Sequence, residues 1–122
     1  SPVLLTNQTT TGYRNNYSPL STGPNCTGYG ETGLDRAYKV TVPNGNTLQA
    51  DVTSISGNPA IYVLTAAQCI PQPTACLAGD DNDGAPDERA VWLNNTGSAQ
   101  TVYVVVDSYY GSAITYNLNL SF

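Results

Sequence analysis

From Ala37 onward, apolar and polar residues alternate with a period of two in segment after segment, which puts alternate side chains on opposite faces of β-strands. Helical spacing is nearly absent. Tyr38, Val40 and Val42 share a face against Lys39 and Thr41, and Pro43-Asn44-Gly45-Asn46 then supplies a turn. In the next strand Leu48, Ala50 and Val52 alternate with Gln49, Asp51 and Thr53, and Ser56-Gly57-Asn58-Pro59 closes it. Ala60 to Ala67 is apolar on both faces, Ile61 and Val63 against Tyr62 and Leu64, and predicts a central strand covered on both sides or crowded by a neighbouring loop. Strands are also expected from Ala90 to Leu93, from Thr101 to Asp107 with Val102, Val104 and Val106 facing in, and from Ile114 to Phe122. In the last, Ile114, Tyr116, Leu118, Leu120 and Phe122 alternate with Thr115, Asn117, Asn119 and Ser121. Turn signals between these strands predict an all-β fold, a two-sheet antiparallel β-sandwich of about seven or eight strands.

Residues 1–36 break the pattern: Thr, Asn, Gly, Ser and Pro dominate, and only Val3, Leu4 and Leu5 look like a strand. Residues 1–122 read as one domain, a polar N-terminal segment (1–36) followed by the sandwich core (37–122). Two readings of Val3-Leu4-Leu5-Thr6 stand side by side. It is an edge strand of its own sheet with a long ordered loop after it, or an assembly strand that pairs with another subunit's sheet edge.

Composition narrows the function classes. Charged residues make up 11% of the chain and the net charge is -5, with Arg14, Arg36, Lys39 and Arg89 the only cations. No basic patch is available to neutralise phosphates, so neither nucleic acid nor an anionic membrane is an expected partner. No apolar run approaches the ~20 residues of a spanning helix, so membrane insertion is not expected. The chain has no histidine, which removes Ser-His-Asp and Cys-His catalysis together with imidazole-based zinc sites. No P-loop is present either. A non-enzymatic protein is therefore expected.

Cys69 and Cys76 bracket a short segment with two prolines, Pro71 and Pro73, which favours a tight excursion and a local disulfide. Cys26 is left as a buried thiol, a bridge to another chain, or a member of a different pairing. A disulfide suits an oxidising compartment. The chain begins at Ser1 with neither a methionine nor a charged-then-apolar leader, as a secreted protein does after signal-peptide removal. The location expected is extracellular or the cell surface.

The concentrated chemical feature is the acidic run from Gly79 to Glu88, whose Asp80, Asp81, Asp83 and Asp87 offer the hard oxygens that calcium takes. Aligning Gly84 with the glycine of an EF-hand loop puts Gly79 and Ala90 at its first and last ligand positions, so it is not that motif. The alternative is a solvated acidic turn. Asn7, Asn16, Asn25, Asn94 and Asn119 each head an Asn-X-Ser/Thr glycosylation triplet. Tyr103, Tyr109, Tyr110 and Tyr116 either cap the core or form a contact surface.

The run Gly33-Leu34-Asp35-Arg36-Ala37-Tyr38-Lys39-Val40-Thr41-Val42-Pro43, followed by Thr47-Leu48 and Ala60-Ile61-Tyr62-Val63-Leu64, resembles the bacterial pre-peptidase C-terminal domain family. Val102-Tyr103-Val104-Val105-Val106-Asp107 and Thr115-Tyr116-Asn117-Leu118 look like its closing strands. Cys69 to Cys76 with Leu77-Ala78-Gly79-Asp80-Asp81 resembles the variant found in secreted myxobacterial-type proteins. The resemblance implies a jelly-roll-like sandwich, usually appended to secreted hydrolases, with relatives that bind collagen or carbohydrate and sometimes calcium. Asp35 and Asp107 fall on acidic positions typical of the family, where a structural role bonding turn amides is expected.

No enzyme accompanies the domain in this chain, so it is expected to act by binding. The leading expectation is an adhesive or structural subunit that associates with copies of itself through Val3 to Thr6 or Cys26. The other is a stand-alone module for extracellular polysaccharide or protein, with calcium as an optional cofactor.

Overall fold

Each strand expected from Ala37 onward is present, and the described residues form β1 (Val3–Thr9), β2 (Arg36–Val42), β3 (Thr47–Ser56), β4 (Pro59–Thr65), β5 (Ala78–Asp80), β6 (Asp87–Leu93), β7 (Gln100–Ser108) and β8 (Thr115–Ser121), β5 lying where no strand was expected. These elements belong to a computed structural model that describes residues 2–81, 87–108 and 113–122. One sheet has the order β1-β8-β3-β6, the other β2-β7-β4-β5, and every pairing is antiparallel. Eight strands dealt between two sheets in this order make a jelly roll.

The inward faces are those the alternation picks out. Val40, Val42, Ile61, Val63, Val102, Val104 and Val106 from the second sheet meet Leu48, Ala50, Val52, Ala90, Tyr116, Leu118 and Leu120 from the first in one core. Burying such side chains stabilises by about 1.5–3 kcal/mol each, which fixes register: a one-residue slip would turn a whole set outward. Near one edge, the Tyr38 hydroxyl bonds the Tyr116 hydroxyl at 2.7 Å and donates to Gln8 Oε1 at 3.1 Å, tying β1, β2 and β8 together.

β4 is buried from Pro59 to Leu64 because its outer side is covered as well. Residues 10–35 cross the outer face of the second sheet, where Cys26, Tyr62, Leu64, Cys76 and Val105 form a second apolar cluster flanked by Tyr17 and Cys69. The crossing segment has no strand of its own and takes its backbone partners from the loop after β4. Ser18 N donates to Pro71 O, Leu20 N to Pro73 O, and Cys76 N to Pro24 O, at 2.8–3.0 Å.

That crossing corrects the expected cysteine pairing. Cys76 is bonded to Cys26, not to Cys69, which is a free, half-buried thiol. Thr65 caps a single 3-10 turn, Ala66–Gln68, and leaves Cys69 at its end beside Tyr17. The strap meanwhile delivers Cys26 to Cys76 with a Cα–Cα distance of 4.9 Å. β1 is paired with β8 of its own chain and lies at the edge of the first sheet. A bulge between Leu5 and Gln8, with Asn7 at φ 52°, shifts the register before pairing resumes at Gln8 and Thr9.

Candidate functional site

The outward face of the first sheet carries a ladder of polar side chains. Register places Asn119, Asp51 and Arg89 side by side across β8, β3 and β6, and Asn117, Thr53 and Asp87 in the next row. Their odd-numbered positions alternate with the core residues Val52, Ala90, Leu118 and Leu120, so the strands that build the core also build this platform. Arg89 Nε forms a short ion pair with Asp51 Oδ1, and Gln49 Nε2 donates to Asp51 Oδ2 at 2.9 Å.

An open groove of about 680 Å³ runs along this face, lined by Leu4, Asp51, Val52, Thr53, Asp80, Asp87, Glu88, Arg89, Asn117 and Asn119. Asp51, Asp80 and Asp87 set three carboxylates against the Arg89 guanidinium, the buried Glu88 reaches the lining from the inward side, and none of the described lining residues is aromatic. The arrangement accepts hydrogen bonds from cationic or amide donors and offers no flat surface for stacking a sugar ring.

Where the loop 10–35 meets β5 and β6 lies a second feature. Glu31 has no exposed surface, and Asp81 and Glu88 are also buried. The Thr27 hydroxyl donates to Glu31 Oε1 at 3.1 Å and is also placed 2.9 Å from the Tyr29 carbonyl, while Glu31 Oε2 has no hydrogen-bond partner. Burial first, then the adjoining Asp81 carboxyl, push the Glu31 carboxyl up to about 9, and Glu88 acts in the same direction. The close approach of loop to strand depends on Gly79, where an added Cβ would lie 2.7 Å from the Cys26 carbonyl carbon.

Asp35 and Asp107 hold backbone in place, as expected. Asp35 Oδ2 accepts from Asn16 N and Tyr17 N, both at 2.8 Å. Fully buried Asp107 accepts from Ser108 N at 2.8 Å and from the Tyr62 hydroxyl at 2.6 Å. Burial pushes Asp107 up to about 9 and Asp35 to about 6.

The predicted residues scatter. Of the acidic run, Asp80 lies in β5 with a carboxylate that accepts from Arg89 N at 3.0 Å, Asp81 is buried, Asp87 is exposed at the start of β6, and Asp83 falls outside the described residues. Among the described residues no group of three Asp, Glu or Cys side chains is placed to hold a metal ion. Asn7, Asn16, Asn25 and Asn119 are exposed. Asn94 is not a glycosylation candidate, because its fully buried amide donates to Val42 O and Ser98 O while its Oδ1 accepts from Thr96. Tyr116 is core, and Tyr109 and Tyr110 lie outside the described residues.

Sequence reasoning missed Glu31 and Glu88. Glu88 shares its parity with Ala90, so carrying the alternation of β6 two residues back puts it on the inward face. Glu31 sits in a stretch without periodicity, and nothing local marks it.

No family model matches the chain, and no curated protein does. Among solved structures, the chain is similar to a periplasmic inhibitor of g-type lysozyme, PliG from Aeromonas hydrophila, at 11% identity and a TM-score of 0.39, over 86% of this chain and 97% of that one.

Proposed function

We propose that this domain is a non-catalytic binding module of an oxidising, extracytoplasmic compartment, and that it holds a cationic segment of a protein partner in the groove of its first sheet. The observation that carries the reading is the groove itself, a long polar platform with an excess of carboxylates on rigid strands. The absence of histidine supports the non-catalytic part and the Cys26–Cys76 disulfide supports the compartment. The pre-peptidase C-terminal resemblance agrees with an accessory binding role. Between the two partner classes the sequence left open, the lack of an aromatic ring among the described lining residues favours protein over polysaccharide.

The test is a titration of the isotope-labelled domain, followed by amide NMR shifts, with an arginine-rich peptide, its glutamate-rich counterpart and a neutral oligosaccharide. Saturable shifts confined to Asp51, Thr53, Asp87, Arg89, Asn117 and Asn119 with the arginine-rich peptide alone are expected, and Asp51→Lys should weaken them at least about tenfold. Shifts with the oligosaccharide alone, or none at those residues, would sink this reading.

A second reading, self-association, is favoured by one observation. β1 is a free sheet edge carrying exposed Val3 and Leu4, and Leu4 is 64% exposed.

A further inference from the structure

We propose that Arg89 is an internal stand-in for the partner: in the free domain its guanidinium occupies the seat on Asp51 that an arginine side chain of the partner takes on binding. The inference rests on the groove reading and names the group the groove selects, a guanidinium rather than an ammonium.

Register sets Leu4, Asn119, Asp51 and Arg89 in one row across β1, β8, β3 and β6. Asp51 stands on an inner strand and Arg89 on the edge strand beside it. Arg89 lays its Nε against Asp51 Oδ1, while Gln49 Nε2 donates to Oδ2 at 2.9 Å. Both oxygens of the central carboxylate are thus met by N–H donors of the chain itself. The Arg89 side chain is 60% exposed, and ion pairs this open to water are marginal, so it can leave at small cost. The strand beneath it stays in place, because Arg89 N donates to Asp80 Oδ2 at 3.0 Å. Asp87 lies two residues back on the same face of β6, about 6.5 Å along the strand, where it attracts the displaced charge.

Two consequences separate this device from a groove that merely attracts positive charge. A seat covered part of the time lowers the apparent affinity by the fraction left open, so removing Arg89 should strengthen binding through Asp51 alone. The seat should also favour arginine, which presents two parallel N–H groups to a carboxylate where lysine presents a point charge.

The experiment titrates the wild type, Arg89→Ala, Asp51→Asn, the double variant and Lys39→Ala with an arginine-rich peptide by calorimetry. A lysine-for-arginine peptide of equal length and charge is titrated into the wild type, and the wild-type Arg89 Nε–H signal is followed by NMR. Arg89→Ala should bind the arginine-rich peptide about threefold or more tighter, whereas Lys39→Ala, which removes a cation exposed on the second sheet, should stay within about twofold. With Asp51→Asn already present, Arg89→Ala should add nothing, since the two act as one unit. The wild type should prefer the arginine-rich peptide by about fivefold or more, and its Arg89 Nε–H signal should move to that of a solvated arginine at saturation. Equal binding by the wild type and Arg89→Ala, an undiminished gain with Asp51→Asn present, no preference for arginine, or an unmoved Nε–H signal would overturn the inference and leave the groove standing. Binding by no form of the domain would remove the groove reading and this inference with it.

Discussion

At the residue scale, Asp107 ties a titration to stability. Its carboxyl is fully buried against Tyr62, and burial lifts it from an ordinary value of 3.8 to about 9. Between those values the folded protein holds a proton that the unfolded chain has released, so folding grows less favourable as pH rises. Asp35, lifted to about 6, adds to the trend between about pH 4 and 6. Melting temperature should therefore be highest in mild acid and fall as pH rises toward about 9. Asp107→Asn keeps the shape and stays neutral, so its melts should show a flatter slope, by at most about 1.4 kcal/mol per pH unit for one proton. An unchanged slope would mean that Asp107 is ionised in the fold.

At the element scale, the long crossing segment is a strap fastened over the second sheet. Its middle is tied by backbone bonds to Pro71, Pro73 and Cys76, and its ends to Ile114 and Ser108. The Cys26–Cys76 bond closes a separation of 50 residues, a loop whose closure entropy corresponds to up to about 4 kcal/mol. Cys26→Ser should therefore destabilise the domain by a few kcal/mol, with hydrogen-exchange protection lost first in residues 17–26 and 69–77 and retained in β3, β7 and β8. Cys69→Ser should change stability by less than about 0.5 kcal/mol without reductant. Peptide mapping after alkylation under non-reducing denaturation should find the label on Cys69 alone. A label on Cys26 would restore the Cys69–Cys76 pairing.

At the scale of the whole molecule, the jelly roll leaves each sheet with two edges. β1 and β6 bound the first sheet and β2 and β5 the second. β5 is three residues long, which blunts its edge, and β1 is bent by the bulge after Leu5. The straight part of β1, from Val3 to Leu5, is the edge on which a second copy would add a strand. Light scattering over a concentration series separates this from partner binding: if copies associate there, Leu4→Lys should turn an oligomer into a monomer. A wild type that is monomeric at every concentration removes self-association and leaves the groove.

Sequence alone determined the sandwich and the inward faces of β2, β3, β7 and β8, because period-two alternation is a local signal and burial of one face enforces it. Leu48, Ala50 and Val52 can be read without knowing their neighbours. It also showed the outward face of Asp51, Thr53, Asn117 and Asn119 to be polar, though not that these residues share a groove, since strand order is decided by how the sheets close. Only tertiary structure decided which cysteine Cys76 bonds, that the Asn94 amide is spent on Val42 O and Ser98 O, and that Glu31 lies beside Asp81. The disulfide spans 50 positions and the Asn94 bond to Val42 O spans 52, and the approach of Glu31 to Asp81 depends on where a patternless loop comes to rest. The acidic run, the densest chemistry in the sequence, was divided by β5 and β6 into outward and inward members. Its buried Asp81 found its partner 50 residues earlier, in the segment where the hydrophobic pattern was silent.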